Sequence, residues 1–407
     1  MRIIYLHQYF NTPDMSGGTR SFEIGRRLVA AGHQVEMVTS LREPSDTSDW
    51  FTTDEAGMRV HWLPVPYSNH MSDASRIRAF GRFALGAARR AANLEGDVVF
   101  ATSTPLTITL PAVYAARRKR IPMVLEVRDL WPEVPIAIGA LRDPVSRWAA
   151  RRLERFSYAN AARVIALSPG MAAGVARAGY PAGRIAMVPN AADLDFFQRD
   201  AARGRAFREK AGIADDKILV TYAGTLGRIN GVGYMIRVAA ALKDENRLAF
   251  LVVGDGRERI QLRALAREHD VLNRNLFMHE ELSKHEMTAV FSATDIATSL
   301  FLPIPAMEAN SANKFFDGLA AGCCVAVNYG GWQAELLATA SAGIRLSVDP
   351  RSAALELRAL ADDPERIRTS GRNARRLAEL RFSRDALAAQ VETVIADAVA
   401  GRSRRDH

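Results

Sequence analysis

The sequence predicts an α/β protein built from two doubly wound domains. Three observations carry this. The chain has 407 residues, more than one ordinary core serves. Short apolar runs alternate with helical segments of ten or more residues, the pattern of parallel strands joined by crossover helices. The alternation pauses at a turn-forming segment, VPNAADLDFF around Asn190, and then starts again.

The first domain is expected over 1–190. Its opening, MRIIYLHQYF, has one early cation and a short apolar run broken by His7 and Gln8. Residues 2–6 therefore read as a first strand and not as a signal peptide. Further apolar runs place strands at 34–39, 60–63, 98–102, 123–127, 164–166 and 185–188, and helical periodicity falls at 21–31, 75–93, 107–118, 144–158 and 170–177. The second domain, 191–383, is expected to hold strands at 219–222, 249–253, 275–278, 296–299 and 324–328, with helices at 234–242, 260–268, 284–292 and 314–321. A last helix, 384–400, is expected to cross back onto the first domain, and the tail RSRRDH to be mobile.

Nearly half the residues are apolar and 24% are charged, which suits a soluble globular protein. No uncharged apolar run reaches the length of a membrane span. The two cysteines, Cys323 and Cys324, are adjacent and offer neither a disulfide framework nor metal-ligand spacing, so a cytoplasmic, reducing setting is expected. The net charge of +9 favours anionic partners. Nucleic acid is set aside, because no binding motif for it appears and the arginines are spread over alanine-rich helices. An Ala- and Arg-rich composition also follows from a GC-rich genome, which leaves part of the charge without a functional reading. Segment 75–94 carries Arg76, Arg78, Arg82, Arg89 and Arg90 among Ile77, Phe80, Phe83 and Leu85. It reads either as a helix for an anionic membrane surface or as one packed on its own sheet with a solvated basic face.

In doubly wound sheets, ligands sit beyond the carboxyl ends of the strands, so the loops there are the candidate sites. In QYFNTPDMSGGTRS, Gly17 and Gly18 let backbone N–H groups approach an anion at the start of a helix, and Arg20 adds a fork of donors; the alternative is a flexible capped loop. YAGTLGRINGVGYMI repeats this layout with Gly224, Gly227 and Arg228, and matches neither a dinucleotide fingerprint nor a P-loop. VVGDGRER reads as a tight turn. EVRDLWPE gathers Arg128, Asp129, Trp131 and Glu133 at a strand end, suited to a polar substrate or to a loop ion pair. In NSANKFFDGLAAG, Lys314 and Asp317 share one helix face, either as a surface ion pair or as part of a ligand site. Asp193 and Asp195 lack the further oxygen ligands a hard cation needs, so no metal is expected.

Together these pieces resemble the retaining GT-B glycosyltransferases, and more narrowly family 4. The Gly17-Gly18 loop, Arg128-Asp129, PNAAD, AGTLGR and NKFFDGLAAG occur in the family's order over nearly the whole chain. YLHQYFNTPDMSGGTRSFEIGRRLVAAGHQVEMVTS, DLWPE and NKFFDGLAAG are like the subgroup that transfers amino- or deoxy-sugars in surface-polysaccharide assembly. The resemblance implies two Rossmann-like domains facing across a cleft, with a nucleotide-diphosphate sugar, UDP-linked, on the second and a lipid-linked or glycan acceptor on the first. It implies that Arg228 and Lys314 clamp the diphosphate, that Gly17 and Gly18 close over it, and that Asp317, the second acid of the family's E-x7-E motif, holds the ribose. Asn313 and Gly227 would join the donor side. Arg20, Arg128 and Trp131 would join the acceptor side, with Asp129 positioning the hydroxyl or sugar. The reaction would need no metal and no cofactor, and the enzyme would work in the cytoplasm or on the inner face of the plasma membrane. The chain departs from the family at Glu308, one residue out of register as the first acid, at Arg128 where many relatives carry His, and at Asn230 where many carry Lys. Two other readings fit the same architecture: a nucleotide-sugar epimerase, and a catalytically degenerate partner subunit.

Overall fold

The structure is a computed structural model and describes residues 1–403 except 16, 44, 68–70 and 72. The chain divides into two units, Met1–Pro189 with Asp385–His407, and Asn190–Arg384.

The first unit begins β1 (Arg2–Leu6), α1 (Arg20–Ala30), β2 (Gln34–Leu41), β3 (Phe51–Glu55), β4 (Met58–Pro64), α2 (Asp73–Asn93), β5 (Val98–Thr102) and α3 (Thr109–Lys119). It continues β6 (Met123–Val127), α4 (Glu133–Ala137), α5 (Pro144–Ala159), β7 (Arg163–Ala166), α6 (Pro169–Arg177) and β8 (Ile185–Met187). Among the described residues these strands form one sheet in the order β3-β4-β2-β1-β5-β6-β7-β8, parallel except for β3 against β4. β5 and β6 bury every residue, as parallel strands covered on both faces must. Ile3 sits between Val35 and Val98, which fixes β1 at the centre. Helix starts follow local chemistry. Asp143 and Ser168 cap α5 and α6 through the backbone N–H groups of Ser146 and Met171, each with a proline in the first turn.

The second unit runs α7 (Ala201–Ala211), β9 (Ile218–Ala223), α8 (Gly233–Ala241), β10 (Leu248–Val253), α9 (Arg259–Glu268), β11 (Leu276–His279), α10 (Lys284–Ala293) and β12 (Ile296–Ser299). It ends α11 (Asn313–Ala320), β13 (Cys324–Val327), α12 (Trp332–Ala340), β14 (Gly343–Arg345), α13 (Pro350–Ala361) and α14 (Pro364–Arg381). Its sheet is parallel throughout, in the order β11-β10-β9-β12-β13-β14. This is the Rossmann order, reversing between β9 and β12. Buried clusters cover the sheet around Tyr222, Phe250 and Val252, around Phe315, Phe316 and Leu319, and around Leu219, Leu251 and Val290.

The final helix, α15 (Arg384–Ser403), belongs to the first unit from Asp385 on. It buries Val391 and Ile395, and Glu392 meets the His33 ring at 2.9 Å.

The structure adds elements absent from the sequence reading: β3, α4, α7 and the whole run from α12 to α14. β3 is a ragged edge strand without full burial. α7 is charged enough to blur an apolar stripe, whereas α13 and α14 bury Ala353, Leu357 and Leu360, and Ile367, Ala374 and Leu377, at helical spacing, a signal the sequence reading passed over. The helix expected at 107–118 starts as a 3-10 turn, Leu106–Ile108, before α3. The tail expected to be mobile is helical through Ser403, and residues 404–407 lie outside the described ones. No helix among the described residues is long and apolar enough to cross a membrane.

Candidate active site

In the second unit, the loops after β9 and β12 open at the point where the strand order reverses, the place where such sheets bind ligands. The loop after β9 is braced by a second glycine turn. Leu226 N–H donates to Asp255 O at 2.8 Å, and Glu258 N–H to Leu226 O at 3.0 Å. A Cβ on Gly254 would lie 2.1 Å from Gly224 O, and one on Gly256 2.5 Å from Leu226 O. VVGDGRER is therefore the support on which the 224–227 loop rests. Gly224 has φ +148, whereas Gly227 has φ −115 and room for a side chain. The expectation that Gly227 frees the backbone is corrected: Gly231, φ +57, is the residue that needs glycine next to this turn.

Lys314, in the first turn of α11, reaches this loop. Its ammonium donates to Asn230 Oδ1 at 2.7 Å and Tyr222 Oη at 3.3 Å. It lies 4.4 Å from the centre of the Phe301 ring and 4.9 Å from that of Tyr222. Burial pushes its pKa down to about 7. Arg228 is exposed and its side chain has no partner among the described residues. Asn313 is exposed at the start of α11. Backbone donors, one free guanidinium and one lysine that titrates near neutrality make a site able to bind a phosphate.

Asp317 does not pair with Lys314. Burial pushes its carboxyl up to about 7, and its charged neighbours are Arg384, Asp193 and Lys284. Asp193 accepts from Lys284 at 2.6 Å and Arg384 at 2.9 Å. The surface ion pair is thus absent, and the first aspartate of D-L-D is an internal acceptor. Glu308 is exposed and lies over the turn at Gly330 and Gly331, where a Cβ on Gly331 would come 2.6 Å from Glu308 O.

In the first unit, Gly17 has φ +120, and a Cβ there would meet Asn11 Nδ2 at 2.6 Å. Asn11 donates to Gly18 O at 3.3 Å. The Thr19 side chain does not cap α1. Arg20 is a correction. Its guanidinium is buried, donating to Glu126 Oε1 at 2.8 and 3.0 Å and to the carbonyls of Val188 and Pro189. The fork expected to face a substrate is taken up inside the unit. Burial raises the Glu126 pKa, but Arg20 and then Arg128 outweigh it, and the carboxylate stays ionised. Arg128 forms no ion pair among the described residues; its Nη1 lies 3.5 Å from His7 Nε2. Burial, then Arg128 and Arg42, hold His7 well below its ordinary pKa, so the imidazole is neutral. Asp129 is exposed and accepts from Thr104 Oγ1 at 3.2 Å. Trp131 is half-buried just before α4. Among the described residues no three His, Cys, Asp or Glu side chains group to hold a metal.

Two sequence families match the chain in tandem: the Glycosyl transferase 4-like domain over residues 17–191 and the Glycosyl transferases group 1 over 204–377. The chain belongs to the GT-B glycosyltransferases of family 4. This glycosyltransferase is 26% identical to an Escherichia coli protein named as a colanic acid biosynthesis glycosyl transferase, WcaI, over 65% of this chain and 69% of the relative. It is also 26% identical to the D-inositol 3-phosphate glycosyltransferase of Xylanimonas cellulosilytica, over 94% and 92% of the two chains. Two solved structures share its fold. Sucrose-phosphate synthase from Thermosynechococcus elongatus has TM-score 0.78 and 17% identity over 98% of this chain and 99% of that one. Anabaena HepE in complex with UDP-glucose has TM-score 0.72 and 16% identity over 98% and 100%.

Proposed function

We propose that this glycosyltransferase moves an N-acetylated amino- or deoxy-hexose from a UDP-linked donor to a lipid-linked or polysaccharide acceptor, with retention and without a metal, in cell-surface polysaccharide assembly. The observation that carries the donor reading is that Lys314 reaches Asn230 in the braced glycine loop, the loop that also carries the exposed Arg228, at the β9/β12 reversal. As the sugar–phosphate bond breaks, negative charge grows on the departing diphosphate. Fixed cations and backbone N–H groups stabilise that charge without reorganising. The sugar gains oxocarbenium character and takes the acceptor hydroxyl on the same face, while a phosphate oxygen receives the proton. On the acceptor side, Asp129, Arg128 and Trp131 offer an exposed carboxylate, a guanidinium without an ion pair and an aromatic face. The UDP-glucose complex of HepE and the name of the E. coli relative support the choice of UDP and of polysaccharide assembly.

The membrane reading extends beyond α2. α2 packs on α3, and α3 on α5. Ile77 and Leu85 of α2, Leu110 and Tyr114 of α3, and Val145, Trp148 and Phe156 of α5 are exposed. Arg78, Arg82, Arg117, Arg118, Arg151 and Arg152 are exposed among them. Apolar side chains between cations suit an anionic bilayer surface.

A thermal-shift series with UDP, GDP, ADP and dTDP, with and without Mg²⁺, tests the donor reading. A metal-independent rise with UDP is expected. No shift with any nucleotide overturns it. The anomeric configuration of the product, read by NMR, decides retention.

A further inference from the structure

We infer that Asn230 is a binding and positioning residue of the donor site, whose carboxamide oxygen aims the Lys314 ammonium while its NH2 group donates to the same phosphate. This rests on the donor reading above.

An ammonium has three donors and no acceptor. The Asn230 atom 2.7 Å from Lys314 Nζ must therefore be the oxygen, and chemistry fixes the orientation of the amide. The NH2 group then faces away from Lys314. Its nitrogen lies 3.7 Å from where a Cβ on Gly227 would sit, beside the turn that carries Arg228. Neither amide proton has a partner among the described residues, although Asn230 is only 9% exposed.

The bond to Lys314 and the burial of the residue hold the side chain, and the backbone beneath it is fixed as well. Asn230 N–H donates to Gly227 O at 2.9 Å, and Gly231 follows in the left-handed region. The NH2 group is not sealed off from solvent, so both of its donors are open to a ligand beside the half-buried cation. The other contacts of Lys314 are neutral. Tyr222 Oη donates to Thr225 O at 2.9 Å, so toward Lys314 it can only accept, and Phe301 offers a ring face. No charged side chain faces the ammonium from β9, the 224–230 loop or the loop after β12, and burial alone accounts for its lowered pKa. A carboxylate at position 230 would close an ion pair with Lys314, and a second cation would repel it. An amide does neither, so the charge of Lys314 stays available to a phosphate.

The test is UDP binding by calorimetry from pH about 6.5 to 9.5, with wild type, Asn230→Leu and Asn230→Asp. A diphosphate favours the charged lysine. Wild-type affinity is therefore full below the free-protein pKa of about 7 and falls as pH rises above it. Asn230→Leu removes the oxygen that favours the ammonium. It should weaken UDP on the order of ten- to a hundredfold and start the fall at lower pH. Asn230→Asp should also weaken UDP, by repulsion and loss of the NH2 group, but start the fall at higher pH. Weaker binding in both variants with the onset unmoved would show mere packing and overturn the inference, as would unchanged affinity. If wild type binds none of UDP, GDP, ADP and dTDP, the donor reading itself fails and takes this role with it. Circular dichroism of each variant separates either result from misfolding, and Asn230→Ser replaces any variant that does not fold.

Discussion

Lys314 and Arg20 are both cations near a strand end, and the structure gives them opposite fates. Lys314 faces neutral groups and keeps an uncommitted charge. Replacing Arg228 and Lys314 together with Met should cut kcat/KM by about a thousandfold or more, as loss of charge stabilisation at a leaving group does, with little change in Tm; near-wild-type turnover would remove both from the site. Arg20 is an internal tie. Arg20→Met leaves Glu126 buried without its partner and should destabilise the first unit by about 3–5 kcal/mol in chemical denaturation. Adding Glu126→Leu should recover part of that loss. The sequence showed where these cations stand, because the strand–glycine–helix order is local. It could not show what they face. Asn230 is 84 residues from Lys314, and Glu126 is 106 from Arg20. Both pairings exist only once crossovers bring separate strand ends together. His7 was visible only as a break in an apolar run.

At the scale of elements, α5 shows a helix holding a group it would rather leave neutral. Glu154 is buried against Tyr158, and its Oε1 has no hydrogen-bond partner. Burial, then Glu133, push its pKa up to about 7. The folded pKa lies above the unfolded value, so the folded state holds the extra proton between the two. Its stability contribution is full below about pH 4 and is lost as pH rises through about 7. Glu154→Gln removes this dependence. The variant should gain about 1–3 kcal/mol over wild type between pH 5 and pH 8, seen as a Tm difference that widens with pH; a constant difference would contradict the assignment. The sequence placed α5 by its apolar spacing but could not mark Glu154, since its neighbour Glu133 comes from another element. The central strands were legible because a strand buried on both faces is a continuous apolar run. The edge strand β3 and the charged helix α7 carry no comparable signal, while α13 and α14 carry a helical stripe that the sequence reading passed over.

At the scale of the molecule, the exposed apolar and basic side chains of α2, α3 and α5 belong to the first unit alone. Vesicles containing anionic phosphatidylglycerol should pull the protein down at low salt, and neutral phosphatidylcholine vesicles should not. Trp148→Glu with Leu85→Glu should abolish that binding and leave UDP binding intact. Co-sedimentation reads both, and equal binding to the two vesicle types would refute a charged docking surface.

The return of α15 gives the two units different histories during synthesis. All of residues 190–383 is translated before α15 emerges, and α15 supplies Leu387, Val391 and Ile395 to the first unit's interior. At about 5–20 residues per second, the N-terminal unit waits roughly ten to forty seconds with that interior open. The later-made unit, continuous in sequence, can close first. The ribosome thus finishes the second unit before the one that was begun earlier, and chaperones have that interval in which to hold the unfinished sheet.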